Sequence, residues 1–464
     1  MAGGSTMASE RGLGAAYWKL WSASVVSNLG DGLSTVAYPW LASALTRDPI
    51  AIAGVAIATR LPWLLFTLPA GVITDRVDRR RLVGRMDLAR FALTLVIALM
   101  VFAGADDLAN PDAVAEGVTG APSGARWMLI GLYAASLMLG AAEVLRDNAA
   151  QTLLPSLVDT DQLERANGRL WGAETVMNSF VGPPVAGLLL ASSFALPFAV
   201  DATTFAVAGC LILFISGDFR PHRDSSATKI DWRGEMGEGI RFLWGHDLLR
   251  SLAISLGVLN GAYFVTTSAL VLFAQEVLDL GPAGFGALTI AAAGGGVIGS
   301  ITADWFTGWL GPGPVLHLTI LGSLVSLGLI GLVPWTPLVF VMMAISAFVG
   351  VQWNVVTVAL RQTIIPDHML GRVNSVYRFF GWGMMPVGAL VGGLVVAGTD
   401  LVASRETALR ATFVVGGALH GFLYLYAAPR LTTTAVEQAR AISAPPAGGP
   451  SEPRLTTRQE PPPQ

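Results

Sequence analysis

At 464 residues the chain could hold two or three soluble domains, but 53% of it is hydrophobic and only 13% charged, with a mean hydropathy of +0.58. Ordinary soluble domains carry about a quarter charged residues, so composition excludes a soluble globular protein and indicates a membrane protein. The net charge of -3 gives no bulk attraction to nucleic acid, while Gly 53 and Trp 13 suit a helical bundle in lipid.

Crossing a bilayer takes about 20 mostly apolar residues. In chain order such runs predict spans at 17–43, 50–73, 86–104, 127–149, 168–191, 194–216, 249–273, 283–303, 314–333, 336–360, 374–397 and 407–428. The first begins near Trp18, runs past Trp40 and lacks a small-residue cleavage site, so it reads as a span and not a cleaved signal peptide. Only the Gly/Pro-rich stretch 308–314 separates the eighth from the ninth. The expected fold is an all-α membrane protein, with twelve transmembrane helices in two pseudo-symmetric six-helix bundles. A cytoplasmic segment 1–16, a bundle 17–216, a central loop 217–248, a second bundle 249–428 and a disordered Pro- and Ala-rich tail 429–464 follow from it. Within the central loop, Trp232 to Trp244 reads as a short amphipathic helix lying on the inner leaflet. Cys210, the single cysteine, sits in an apolar run and can form no internal disulfide.

Arg and Lys set the orientation. With the N-terminus in the cytoplasm, most of the 29 basic residues fall in cytoplasmic segments. Only Arg47, Arg126, Arg405 and Arg410 lie outside, and Arg60 and Arg90 lie within spans. An even number of spans with both ends cytoplasmic explains that asymmetry. The outer loop 105–126 holds Asp106, Asp107, Asp112 and Glu116, as its side requires. Lys occurs only at Lys19 and Lys229, the Arg-for-Lys usage of a GC-rich bacterial genome, which points to a bacterial cytoplasmic membrane.

Gln151-Thr152-Leu153-Leu154-Pro155 recurs as Gln362-Thr363-Ile364-Ile365-Pro366. An Arg-x-Asn triplet follows each copy, Arg165-Ala166-Asn167 and Arg372-Val373-Asn374. Both copies fall between the fourth and fifth spans of their own half. Two duplicated six-span halves are a transporter plan, with the substrate cavity between them near mid-bilayer.

Between the second and third spans the chain reads Gly71-Val72-Ile73-Thr74-Asp75-Arg76-Val77-Asp78-Arg79-Arg80-Arg81. Gly71 would let two helices approach closely, Asp75 could cap a helix N-terminus, and the arginines could pair with acids or lipid phosphates. This segment resembles the major facilitator superfamily signature G-x-x-x-D-R-x-G-R-R/K. Gly71, Asp75, Arg76, Arg79 and Arg80 match, and Asp78 stands at the inner glycine. Together with Asn28-Leu29-Gly30-Asp31, Arg60-Leu61-Pro62 and the segment 143–167, that form is similar to the branch of enterobactin exporters and macrolide-efflux proteins. The likeness covers nearly the whole chain except the tail. It implies export of a small organic molecule (a drug, antibiotic or siderophore) and a 71–81 loop acting as a conformational latch, not as a substrate site. Drug antiporters of the superfamily carry G-P-x-x-G-G in the fifth helix. Gly182, Pro183 and Gly187 match it, Pro184 adds a second proline, Ala186 replaces a glycine and Asn178 occupies an upstream glycine position. Paired prolines bend a helix, and the bend stays open between plain packing and an antiport role.

Ionisable groups inside spans each cost about 2.5–3.5 kcal/mol at mid-bilayer. Asp31 and Arg60 lie near the middle of the first and second spans. Their simplest fate is a mutual ion pair, and a coupling role in which Asp31 loads and releases a proton is the other. Glu143, Arg146 and Asp147 share one face of the fourth span, although Arg146 could snorkel to the surface. The second repeat holds Asn354, Thr357 and Val358 at the matching place, so repeat architecture does not demand these charges. Asp31 and Glu143 are therefore the expected proton carriers. Arg60, Arg146, Glu174 and Asn178 are expected to shape the polar part of the cavity, with Asn260, Tyr263, Trp353 and Trp382 as an amphipathic pocket. Asp201, in the outer third of the sixth span, reads as a solvated structural residue, His420 as structural and Arg378 as a cytoplasmic-end contact.

Neither Lys19 nor Lys229 closes a nucleotide-binding loop, no His-Glu-x-x-His occurs, and no serine has glycine two residues away on both sides. Expected, then, is no enzyme, cofactor or metal, but a monomeric secondary transporter with a small-molecule substrate, protons as coupling ion and the bilayer as surroundings. An uptake permease or lipid flippase of the same fold is the alternative. A non-transporting receptor or scaffold would instead pack its polar mid-span residues away from any cavity.

Overall fold

The computed structural model describes residues 13–74, 76–105, 108–109, 113–114, 124–217, 219–220 and 232–443. Twelve long helices carry the fold. The first six are α1 (Gly14–Leu45), α2 (Pro49–Thr74), α3 (Arg79–Ala103), α4 (Ala125–Leu153), α5 (Leu163–Ser192) and α6 (Ala195–Leu213). The second six are α7 (Asp247–Glu276), α8 (Pro282–Leu310), α9 (Pro312–Leu332), α10 (Thr336–Ile364), α11 (Asp367–Asp400) and α12 (Arg405–Ala427). Eleven of them are long and apolar enough to cross a membrane. The exception is α1, whose 32 residues include Lys19, Ser24, Ser27, Asn28, Asp31 and Ser34. Its polar face turns inward to the charges described below, so it dilutes its own hydropathy while still packing along α5 and α6.

Local chemistry explains the helix ends. Asp78 caps α3, its Oδ1 accepting from Arg81 N at 2.9 Å, and Ser404 caps α12 in the same manner through Thr407 N at 3.3 Å. One residue joins α8 to α9: Gly311 at φ +83°, a conformation open to glycine, followed by Pro312 at the first helical position. The expected bend in α5 takes the form of a π-helical segment, Val176–Val181. Pro183 and Pro184 have no N–H to give, and the Gly182 N–H reaches back to Met177 O. Both Gln-Thr-x-x-Pro copies end a helix, α4 and α10.

The two bundles meet unevenly. Call the face bearing Leu13 and Ser443 the terminal face and its opposite the far face. Toward the far face one buried apolar cluster is continuous across both halves, from Leu33, Trp40 and Phe198 to Phe273, Phe285 and Phe413. At the terminal face the core divides into one cluster per half, around Tyr17, Val83 and Leu153 in the first and Leu249, Trp353 and Leu360 in the second.

Two peripheral expectations need correction. The short helix Trp232–Gly245 exists, but it does not simply lie on lipid. Leu243 is buried in the second half's core and Glu238 pairs with Arg372 at 2.6 Å. The tail expected to be disordered from 429 contains a helix, Thr433–Ser443, with Val436 and Ala439 buried in that same core. Residues 444–464 lie outside the described residues, as do Asp106, Asp107, Asp112 and Glu116 of the far-face loop.

Candidate functional site

Residues on one face of α1 (Ser24, Ser27, Asp31, Ser34 and Tyr38) recur at helical spacing and confront α3, α4 and α6. Asp31 pairs directly with Arg90 of α3. Arg90 also reaches Ser27 Oγ at 3.2 Å and Asp87 Oδ1 at 3.7 Å, with its guanidinium 3.9 Å above the Phe205 ring of α6. Asp87 in turn lies 3.5 Å from Arg146 Nε of α4. Arg146 continues to Asp147 at 3.0 Å and Ser24 Oγ at 3.3 Å. The result is a chain of alternating charge, Asp31–Arg90–Asp87–Arg146–Asp147, tying three helices inside one half. Asp87 is fully buried, and the side chains of Arg90 and Arg146 are 4% exposed. Charges this deep persist only when paired.

The pairing differs from the sequence expectation. Arg60 is not the partner of Asp31; Arg90 is. From α2, Arg60 points across to the other half, its guanidinium 6.0 Å from the Phe264 ring. It is exposed and makes no hydrogen bond or ion pair among the described residues. Arg146 does not snorkel but is held in the network. Sequence reasoning counted Arg90 only as a charge inside a span and missed Asp87. The available signal was their i, i+3 spacing in the first turn of the predicted span 86–104.

Glu143, one turn before Arg146 on α4, is half-buried and forms no hydrogen bond or ion pair among the described residues. Glu174 and Asn178 are half-buried on α5, Asn178 within the π segment. There the backbone oxygens of Met177 and Asn178 press on Gly32 of α1, and a Cβ on Gly182 would stand 2.5 Å from Gly32 Cα. Gly187 and Pro183 meet α8 of the other half: a Cβ on Gly187 would lie 2.7 Å from Pro282 O, and one on Gly286 2.8 Å from Pro183 O. The bend, with Gly182, Pro183, Pro184 and Gly187, therefore sits where α1, α5 and α8 converge.

Only part of the expected amphipathic pocket assembles. Tyr263 is 46% exposed beside Phe264, and Trp382 packs edge-on against Trp63 of the first half at 5.1 Å, with Arg378 4.9 Å above it. Trp353 does not line the space between the halves. It is 2% exposed in the second half's core. Asn260 bonds Gly381 O at 2.9 Å, tying α7 to α11. His420 Nδ1–H donates locally to Gly416 O, 2.7 Å away, as a structural residue would.

In the loop between α2 and α3, Asp75 lies outside the described residues and Arg76 is exposed. Arg79 donates to Thr152 O at 2.9 Å and Arg80 to Ile215 O, so the arginines clasp the ends of α4 and α6 within their own half. Gly71 does not serve a close helix approach: among the described residues nothing lies within 4 Å of where its Cβ would be. Asp78, at the family's glycine position, is the residue that caps.

At the far face, charged groups join the halves. Arg47, between α1 and α2, stands 3.6 Å from Glu276 of α7, and Gln275 donates to Ser43 Oγ at 2.9 Å. Arg405 pairs with Glu276 at 3.0 Å and Asp400 at 3.2 Å, and donates to Arg47 O at 2.8 Å. Arg47 also donates to Gln275 Oε1 across the halves, while the Arg405–Glu276 and Arg405–Asp400 pairs brace the second half's side of the same contact.

Two six-helix bundles that share one apolar core toward the far face and keep separate cores at the terminal face, with a buried charge chain inside the first half, have the plan of a membrane transporter. The sequence profile of the Major Facilitator Superfamily matches residues 20–389, and the chain belongs to that superfamily. It is similar to the multidrug efflux pump Tap of Mycolicibacterium fortuitum, 28% identical over 382 residues that cover 80% of this chain and 87% of Tap. It is also similar to the enterobactin exporter EntS of Shigella boydii, 28% identical over 269 residues, 57% of this chain and 63% of EntS. The fold matches a crystal structure of a mutant of the nucleoside transporter NupG with a TM-score of 0.67 at 11% identity, over 89% of this chain and 99% of that one. Family membership makes the chain a multi-pass membrane transporter of small molecules and not an enzyme.

Proposed function

We propose that the protein is a proton-coupled exporter of a small organic molecule, working as a monomer in a bacterial cytoplasmic membrane by alternating access. The observation that carries this reading is Glu143, a carboxylate with no cation of its own, next to a fully paired charge chain that ends on Asp31 of α1. Such a group changes charge by taking or losing a proton, and so does the acid at the end of the chain. The names of the similar proteins, an efflux pump and an exporter, support the direction.

The Arg-rich segments Arg76–Arg81 and Arg165–Arg169 favour a cytoplasmic terminal face, which would make the far-face contacts of Arg47, Glu276 and Arg405 an outer seal. Protonation of Asp31 would remove the charge that holds Arg90, leaving Arg90 and Arg146 to share Asp87. Of the α1–α3 contacts named above, the Arg90–Ser27 hydrogen bond would then remain without the ion pair. Helix α1 carries Gly32 at the α5 bend and Ser43 at the outer seal, so a shift of α1 reaches both places. Substrate would enter from the cytoplasm between Arg60, Glu143 and Glu174 on one side and Tyr263, Phe264 and Trp382 on the other.

Inverted membrane vesicles test the direction. A macrolide, siderophore or lipophilic cation is expected to accumulate inside them when the lumen is made acid, and a protonophore is expected to abolish it. Accumulation unaffected by the proton gradient would refute coupled export.

A further inference from the structure

Asp201 of α6 reads in the sequence as a residue easily solvated near a membrane surface, yet it is 1% exposed. Its Oδ2 accepts from Ser34 Oγ at 2.8 Å, while Oδ1 has no hydrogen-bond partner and the residue forms no ion pair among the described residues. Two buried hydroxyls of the same α1–α3–α6 seam, Tyr38 Oη and Thr94 Oγ1, face each other and have no other partner among the described residues. Tyr38 sits edge-on to Phe198, one helical turn from Asp201, with ring centroids 5.3 Å apart. The carboxylate is admitted by Gly30, where a Cβ would collide with both Asp201 Oδ1 and Thr204 Oγ1.

Counting charges leaves Asp201 without a counterion. Arg90 and Arg146 are already matched by Asp31, Asp87 and Asp147. The titratable and charged groups facing Asp201 are Asp31 and Tyr38 from α1 and Arg90 from α3. A lone buried carboxylate ion is costly enough that such a group is normally held neutral. A buried acid oxygen without a hydrogen-bond partner, facing the Tyr38 hydroxyl, is an arrangement that an acid proton completes.

We propose that Asp201 is a third proton-binding carboxylate, holding its proton on Oδ1 against the Tyr38 and Thr94 hydroxyls and exchanging it with Asp31 through Ser34. In that exchange Ser34 Oγ accepts one hydrogen as it gives up its own, so one proton passes between two carboxylates and the serine is unchanged. The position, Asp31 to Ser34 to Tyr38 along α1, runs toward the far face and away from the space between the halves. A proton bound there does not compete with substrate for room. The consequence for transport rests on the proton-coupled reading above; the site itself does not need transport to be observed.

Infrared difference titration of the full-length protein in lipid nanodiscs tests it. Wild type is expected to show the carbonyl stretch of a protonated acid that is lost in Asp201→Asn, retained in Asp31→Asn and shifted in Tyr38→Phe. If Asp201→Asn does not fold, shifts of that band in both Tyr38→Phe and Ser34→Ala carry the same test. A carbonyl region unchanged by Asp201→Asn at every pH would overturn the proposal, as would a band indifferent to both Tyr38→Phe and Ser34→Ala. Measuring solute-driven proton flux on the same preparations separates the two readings. The band present without coupled flux would sink coupled export and keep the site; coupled flux without the band would do the reverse.

Discussion

Asp87 is the middle of the charge chain, and replacing it with Asn keeps its shape while removing its charge. Its Oδ1 lies 3.5 Å from Arg146 and 3.7 Å from Arg90. At an effective dielectric constant near 20, each contact is worth about 4–5 kcal/mol before desolvation is subtracted. In Asp87→Asn the desolvation of the two arginines remains while their shared anion is gone. Breaking a buried pair in this way costs about 3–5 kcal/mol. For a bundle of this size that lowers the melting temperature by roughly 10 °C, measurable by thermal unfolding in detergent. A paired replacement, Asp87→Leu with Arg146→Met, should recover about half of the loss, because both ends of the broken contact are then apolar. An Asp87→Asn protein melting within about 2 °C of wild type and transporting normally would refute the idea that Asp87 holds the arginines.

Other substitutions separate the remaining parts of the account. Glu276→Gln removes the acid shared by Arg47 and Arg405 and should loosen the far-face seal. An introduced Val396→Cys, at a position now fully buried, should then react faster with an impermeant maleimide in a Cys210→Ser background. Gly182→Val should abolish folded protein, since its Cβ meets Gly32 at 2.5 Å, whereas Gly71→Ala should be tolerated with unchanged stability; equal yields of the two variants would contradict the packing argument. Asp78→Ala should cost about 1 kcal/mol through loss of the α3 cap, read as a small fall in melting temperature with the fold retained.

Much of this architecture is legible in the amino-acid sequence. Span lengths and the repeated Gln-Thr-x-x-Pro depend on local composition and on position along the chain, and each corresponds to a helix or helix end in the structure. The partners inside the first half were less legible. Which arginine meets Asp31 depends on which helix lies beside α1 at that depth, and sequence adjacency favoured Arg60 on α2 over Arg90 on α3. Asp87 sits at the edge of its predicted span and Asp201 in the outer third of its own, where hydropathy treats a charge as easily solvated. Three-helix packing buries them instead. Trp353 shows the converse: its mid-span position suits a pocket wall, but helix rotation turns it into the core. The far-face seal joins residues of the two halves separated by 228 to 358 positions, as in Arg47 with Gln275 and Arg405 with Arg47, and no local pattern signals such a meeting.

The central claim is that solute movement and proton movement are one process routed through Asp31 and Glu143. Proteoliposomes containing the full-length protein, challenged with siderophores, macrolides and lipophilic cations under a proton-sensitive dye, test it most directly. The account predicts proton flux that requires a solute and disappears in Asp31→Asn and in Glu143→Gln. Solute movement indifferent to pH and to both substitutions would contradict it.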